Sequence, residues 1–167
     1  KAGCFHHVSS IAAAGMYEGV FREDMFDEAE NLDNPYYSTK HESEKIVRTE
    51  LKAPFRIYRP ASVVGDSQTG EMDKIDGPYY FFKLIQRMRQ ILPPWMPSAG
   101  LEGGRINIVP VDFVVAALDH ISHHYHASGK CYHLVDPRGY RVGDVLDIFS
   151  KAAHAPKMNL FVNAALL

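Results

Sequence analysis

Apolar positions along the chain follow two rhythms. Short continuous or alternating runs predict strands, and spacing of three to four predicts helices. Cys4-Phe5-His6-His7-Val8-Ser9-Ser10 reads as a short buried strand ending in two hydroxyls, followed by the small residues Ala12, Ala13, Ala14 and Gly15. Residues 16–34 are rich in Asp and Glu and predict a solvated connection with room for one short helix. Asn34-Pro35 is a helix start: the asparagine side chain caps a free amide, and proline suits the first helical position. That helix should run from Pro35 to about Lys52, with Ile46, Val47 and Leu51 inward. Glu44 and Arg48 have the order of an exposed ion pair. Ala53-Pro54 stops the helix, and Phe55, Ile57 and Tyr58 begin the next strand.

Residues 66–77 predict a surface loop, and an amphipathic helix should start at Pro78. Tyr79, Phe82, Leu84, Ile85, Met88, Ile91 and Leu92 would face inward, with Lys83, Gln86, Arg87, Arg89 and Gln90 outward. Pro93-Pro94-Trp95-Met96-Pro97 reads as a stiff apolar lip. Arg105–Val109 is a short strand. Asp112 should cap a helix with Val114, Val115, Leu118 and Ile121 inward. Cys131–Val135 is a strand, and Val142–Ala153 a helix burying Val145, Leu146, Ile148 and Phe149. This alternation predicts an α/β fold with a mainly parallel sheet.

Composition narrows the class. The chain has 167 residues, enough for one domain with a real core, and 46% of them are hydrophobic. Net charge is −2, so no basic excess points to nucleic acid. No apolar run approaches a membrane span, and the expectation is a cytoplasmic protein without stable membrane insertion. The two cysteines, Cys4 and Cys131, lie in strand-like runs and read as buried reduced thiols. His120, His123, His124 and His126 suggest a metal by spacing, but no cysteine and little carboxylate join them. Histidines at a helix C-terminus also suit its dipole, and no metal is expected.

The candidate chemistry lies in Asn34-Pro35-Tyr36-Tyr37-Ser38-Thr39-Lys40. Tyr36 and Lys40 are four apart on one helical face. An ammonium beside a phenol stabilises the phenolate, giving a group able to donate or accept a proton at a carbonyl or alcohol oxygen. Tyr79 and Lys83 share the spacing, so the spacing alone singles out no site. What separates the pairs is Ser10, at a strand end a loop upstream of Tyr36.

Strand-end hydroxyl, loop, then a Tyr-x-x-x-Lys helix resembles the active-site layout of the short-chain dehydrogenase/reductase superfamily. Arg59-Pro60-Ala61-Ser62-Val63-Val64-Gly65 is similar to the Arg-Pro-x-x-Val-x-Gly turn of its extended branch, and Val109-Pro110-Val111-Asp112 to a later helix start. Stretches 64–80 and 92–97 resemble bacterial fatty acyl-CoA reductases. The resemblance covers essentially the whole chain and implies the C-terminal half of a Rossmann-like doubly wound parallel sheet with a small substrate-binding subdomain.

In that scheme residues 1–65 are the catalytic part and 66–104 the substrate-binding elements. Residues 105–135 return to the sheet, and 136–167 form a small-domain helix and an incomplete tail. The resemblance implies Ser10, Tyr36 and Lys40 as catalytic residues. Tyr36, Lys40, Pro60, Ala61, Ser62 and Val63 would face the cofactor, and Ser10, Tyr79, Phe82 and Trp95 the substrate. NADPH is the implied cofactor, with NADH left open, and fatty acyl-CoA or fatty aldehyde the implied substrate. A sugar-nucleotide epimerase or dehydratase of the same branch is the alternative, and a non-catalytic half-domain a further one. No Gly-x-Gly-x-x-Gly follows a first strand here, so the nucleotide-binding half is expected to precede these residues. The isolated chain is then expected to show no reductase activity, to bind NADPH very weakly, and either to self-associate as a homo-oligomer through an open strand edge or to be unstable alone.

Overall fold

The computed structural model describes residues 3–73, 79–91, 98–102, 104–124, 127–156 and 158–163. The expected Pro78 helix start, the 92–97 lip with Trp95, His126 and the last four residues lie outside that set. Two compact units are present: Lys1–Gly70 with Val109–Val135, and Glu71–Ile108 with Asp136–Leu167.

The first unit is built on a parallel three-stranded sheet, ordered β1 (Phe5–Val8), β2 (Phe55–Pro60), β7 (Lys130–Leu134). Register places Ile57 beside Cys131 and Tyr58 beside Tyr132. Successive strand side chains point to opposite faces, so each face carries its own apolar set. Helix α1 (Pro35–Thr49) covers one face, with Val47 and Leu51 packed on Ile57 and Cys131. Helix α3 (Val111–His124) covers the other, with Val114, Leu118 and Ile121 near Tyr58, Tyr132 and Leu134. The parallel sheet is the one expected from the alternation, and helices on both its faces make the doubly wound arrangement that the resemblance implies. A short strand β3 (Ser62–Val64) pairs with β6 (Ile108–Pro110).

In the second unit, α2 (Tyr80–Ile91) and α4 (Val142–Ala152) share a core of Ile85, Leu146, Phe81, Met88 and Phe149. Strand β4 (Ser98–Glu102) runs parallel to β9 (Met158–Asn163), and β5 (Arg105–Ile106) antiparallel to β8 (Tyr140–Arg141).

Several expectations need correction. β1 is not buried: Phe5 and Val8 are exposed, because β1 is the edge strand of the described sheet. No helix forms in 16–34. That segment is held instead by a bridge between Gly15 and Glu30. Gly15 has φ +64°, and a Cβ there would collide with the Glu30 carbonyl, so this approach requires glycine. The helix from Pro35 ends at Thr49, three residues early. Ile46, Leu84, Ile91, Val115 and Ile148 are exposed, and Ile46, Leu84 and Val115 each sit one residue, about 100°, from the buried Val47, Ile85 and Val114. The strand at 105–109 breaks at Asn107, whose side chain exchanges two hydrogen bonds with the backbone of Asp136. Asp112 lies inside the first turn of α3 and accepts from the Ser67 amide and hydroxyl rather than capping the helix. Cys4 is half-buried, while burial pushes the Cys131 thiol up to about 11, leaving it inert.

Candidate active site

Ser10 leaves β1 in extended conformation and caps a single 3-10 turn, Ile11–Ala14. Its Oγ accepts the Ala12 amide at 3.2 Å, which fixes the rotamer and leaves the hydroxyl proton free to donate. The side chain of Asn34 accepts the Tyr36 amide at 2.9 Å, as the sequence predicts, and Pro35 follows it. A cap of this kind is worth about 1 kcal/mol. It fixes where the first turn of α1 begins, and so where Tyr36 projects.

Tyr36 is 54% exposed, and the Lys40 ammonium lies 6.0 Å from its ring centroid. Lys40 is half-buried and forms no ion pair with a carboxylate among the described residues. The 3-10 turn and α1 are stitched together: the His41 ring meets the Ala13 carbonyl at 3.0 Å and stacks on Phe26 at 4.2 Å. The Ser9 amide donates to Tyr58 at 2.8 Å, and the Ala61 amide to Leu134 at 3.1 Å. Ser10 and the Pro60–Val63 segment therefore both follow the C-terminal ends of neighbouring parallel strands. That edge is where ligands bind in this class of fold.

Of the residues expected for the substrate, Tyr79 and Phe82 lie in the second unit. There they stack on each other at 5.4 Å and on Phe149 at 6.0 and 4.6 Å. His120 and His124 stack at 4.4 Å, and His123 turns back to Asp119. Among the described residues no cluster of histidine, cysteine or carboxylate has the arrangement of a metal site.

The sequence reading missed a buried ionic network behind this face. Glu44 is not exposed but fully buried, as is Arg59. Glu44 Oε1 accepts from Arg59 Nη2 at 2.6 Å and from Arg48 at 2.8 and 2.9 Å, and Oε2 accepts from Arg59 Nε at 3.1 Å. Arg59 Nη2 also donates to the Met25 carbonyl at 3.0 Å, and Nη1 meets His133 Nε2 at 3.2 Å. Phe21 lies under the guanidinium at 5.1 Å. Burial alone would raise the Glu44 carboxyl, but Arg59 and Arg48 outweigh it and hold the group below the usual range. The connection 16–34 is thus more than a solvated face. Besides Met25, it supplies Glu23, which accepts the His133 amide at 2.7 Å.

Burial, and then the nearby Arg59 charge, lower His133. Burial also lowers His7, whose Nε2 reaches no hydrogen-bond partner among the described residues. The folded chain therefore keeps both neutral to a lower pH than the unfolded chain, which takes up protons near pH 6.5. The stability they contribute is present above that value and is lost as pH falls toward their folded values. The thermal midpoint of the full-length protein should therefore drop between pH 7.5 and pH 5.5. A midpoint unchanged or higher at pH 5.5 would contradict the neutral assignment.

The cofactor test rests on Tyr36 and Lys40. An accessible phenol beside an ammonium that pairs with no carboxylate among the described residues, on a helix tied to the turn that follows β1, suits a nicotinamide riboside. No glycine-rich turn for the diphosphate is among these residues. The family model described as "Male sterility protein" matches residues 1–118. An aldehyde reductase of Aspergillus flavus is 31% identical over 149 residues, 82% of this chain and 14% of its own length. The terminal R domain from the myxalamid PKS-NRPS pathway superposes with TM-score 0.61 at 27% identity, covering 83% of this chain and 34% of that one. A UDP-glucuronic acid 4-epimerase from Bacillus cereus, solved with NAD, shares the fold at TM-score 0.63 and 19% identity, covering 96% of this chain and 50% of its own. This chain spans a minor part of the curated relatives it matches.

Proposed function

The chain belongs to the NAD(P)-binding male sterility protein family of extended short-chain dehydrogenases/reductases, and from that we propose that it carries the catalytic part of an NADPH-dependent reductase converting fatty acyl-CoA to fatty aldehyde or alcohol. The observation that carries this reading is the exposed Tyr36 phenol, with the Lys40 ammonium 6.0 Å from its ring and the Ser10 turn tied to the same helix.

Bound NADPH supplies the hydride. Ser10 donates a hydrogen bond to the carbonyl oxygen of the substrate and holds it beside Tyr36. As charge develops on that oxygen, stabilisation by these two donors lowers the barrier. Tyr36 gives its proton to the aldehyde-derived alkoxide, and Lys40 steadies the phenolate left behind while holding the nicotinamide ribose. The backbone of Pro60, Ala61, Ser62 and Val63 would hold the carboxamide end of the nicotinamide. With a thioester, the tetrahedral oxyanion held by Ser10 and Tyr36 would collapse to the aldehyde as its C–S bond breaks and CoA leaves as the thiolate. Tyr79, Phe82 and Trp95 line the acyl path in this proposal. The apolar content of residues 79–97 favours an apolar substrate over a sugar nucleotide, which is the alternative substrate class.

Trp95→Ala tests the acyl path. In the full-length enzyme it should shift the ratio of kcat/KM between short and long acyl-CoAs by about 10-fold, the scale of a few methylenes of contact. An equal drop at every chain length would assign Trp95 to packing instead.

A further inference from the structure

Glu44 and Arg59 join the three segments that carry the candidate site. Glu44 lies one turn beyond Lys40, on the same stripe of α1 as Tyr36. Arg59 immediately precedes the Pro60–Val63 segment at the end of β2. Ser9, next to Ser10, is buried with its hydroxyl beside Glu44. Among the described residues it reaches no partner within hydrogen-bond distance, yet its dipole helps hold that carboxylate ionised. The guanidinium uses Nε, Nη1 and Nη2 on four acceptor atoms from three other chain segments: Glu44 Oε1 and Oε2, the Met25 carbonyl and His133 Nε2.

Such a pair has no evident role in stability alone, because an apolar pair of similar volume is often as stable. It does have a geometric consequence. Two hydrogen bonds run from the one guanidinium to the two oxygens of the one carboxylate, which fixes the rotation of α1 and its slide along β2. We propose that Glu44 and Arg59 are positioning residues that set the Tyr36–Lys40 face of α1 against the strand ends of Ser10 and Pro60. The proposal rests on the reductase reading for its kinetic readout, and on NADPH binding for a second one.

The test uses the full-length protein and separates position from stability. Glu44→Gln leaves Arg59 buried without its counter-charge and should lower the thermal midpoint by roughly 5–10 °C. Glu44→Leu with Arg59→Met removes both charges and should restore most of that midpoint, since Arg48 can turn toward solvent. The double variant should nonetheless keep a kcat for aldehyde reduction at least ~10-fold below wild type, with KM for the aldehyde nearly unchanged. A displacement near 1 Å in a reacting group has this scale of effect. NADPH affinity, read from cofactor fluorescence, should also stay several-fold weaker than wild type. Recovery of kcat and NADPH affinity together with the midpoint would overturn the proposal and leave the pair a structural one. If the double variant does not fold, Glu44→Gln measured well below its own midpoint gives the same comparison, with wild-type kcat and affinity overturning the proposal. Should the wild type reduce no acyl thioester or aldehyde, the reductase reading fails, and the NADPH titration alone decides the role of the pair.

Discussion

Tyr36→Phe in the full-length enzyme should lower kcat for aldehyde reduction by at least ~10²-fold, the scale of a well-placed general acid. The substitution removes one oxygen from a ring that is 54% exposed, so little packing is lost and the thermal midpoint should hardly move. The amide of residue 36 keeps its bond to Asn34, because that contact uses the backbone. A loss of turnover without a loss of stability separates chemistry from structure. Tyr79→Phe is the control: it has the same lysine spacing, but its ring stacks on Phe82 and Phe149 in the second unit. Because Tyr79 is assigned to the acyl path and not to proton transfer, its effect should fall on KM for the acyl substrate, with kcat within a few-fold of wild type. A Tyr36→Phe enzyme of near-normal kcat would remove Tyr36 from the mechanism.

Arg59→Ala should cost about 3–5 kcal/mol, the range for breaking a buried ion pair from one side. Both side chains of the Glu44–Arg59 pair are fully buried, so the carboxylate left behind cannot regain water. Arg48 remains and is partly exposed, but its bonds go to Oε1 alone. Oε2, the Met25 carbonyl and His133 Nε2 would each lose a donor. Urea denaturation of the full-length variant measures the change. A loss below about 1 kcal/mol, the range of surface pairs, would show that water reaches the network.

The parts legible in the sequence were those fixed by local chemistry. Asn34-Pro35 announces the start of α1, because a cap and a first-turn proline act within a few residues. The strands at 55–60 and 130–134 are legible as β-rich runs between helices. Glu44 was misread because Glu-x-x-x-Arg is also the pattern of an exposed helical pair. Its spacing from Lys40 held the correction: residues four apart share a face, and the stripe that carries Tyr36 and Lys40 turns toward the sheet one turn later. The part played by residues 16–34 was not legible, since Met25 contributes a backbone carbonyl and no pattern of side chains marks it. The β4–β9 pairing escaped for a similar reason. It joins segments some 60 residues apart, and neither segment has a strand's alternation.

Hydride delivery to an acyl carbon with Tyr36 as the acid can be followed directly with an isotope. The direct measurement is to incubate full-length protein with palmitoyl-CoA and NADPH carrying deuterium at the transferable position, then weigh the products. The account predicts deuterium at C1 of hexadecanal or hexadecanol, free CoA released with it, and loss of the labelled alcohol in Tyr36→Phe. No label in any fatty product, together with epimerisation of a sugar nucleotide without net cofactor consumption, would contradict it.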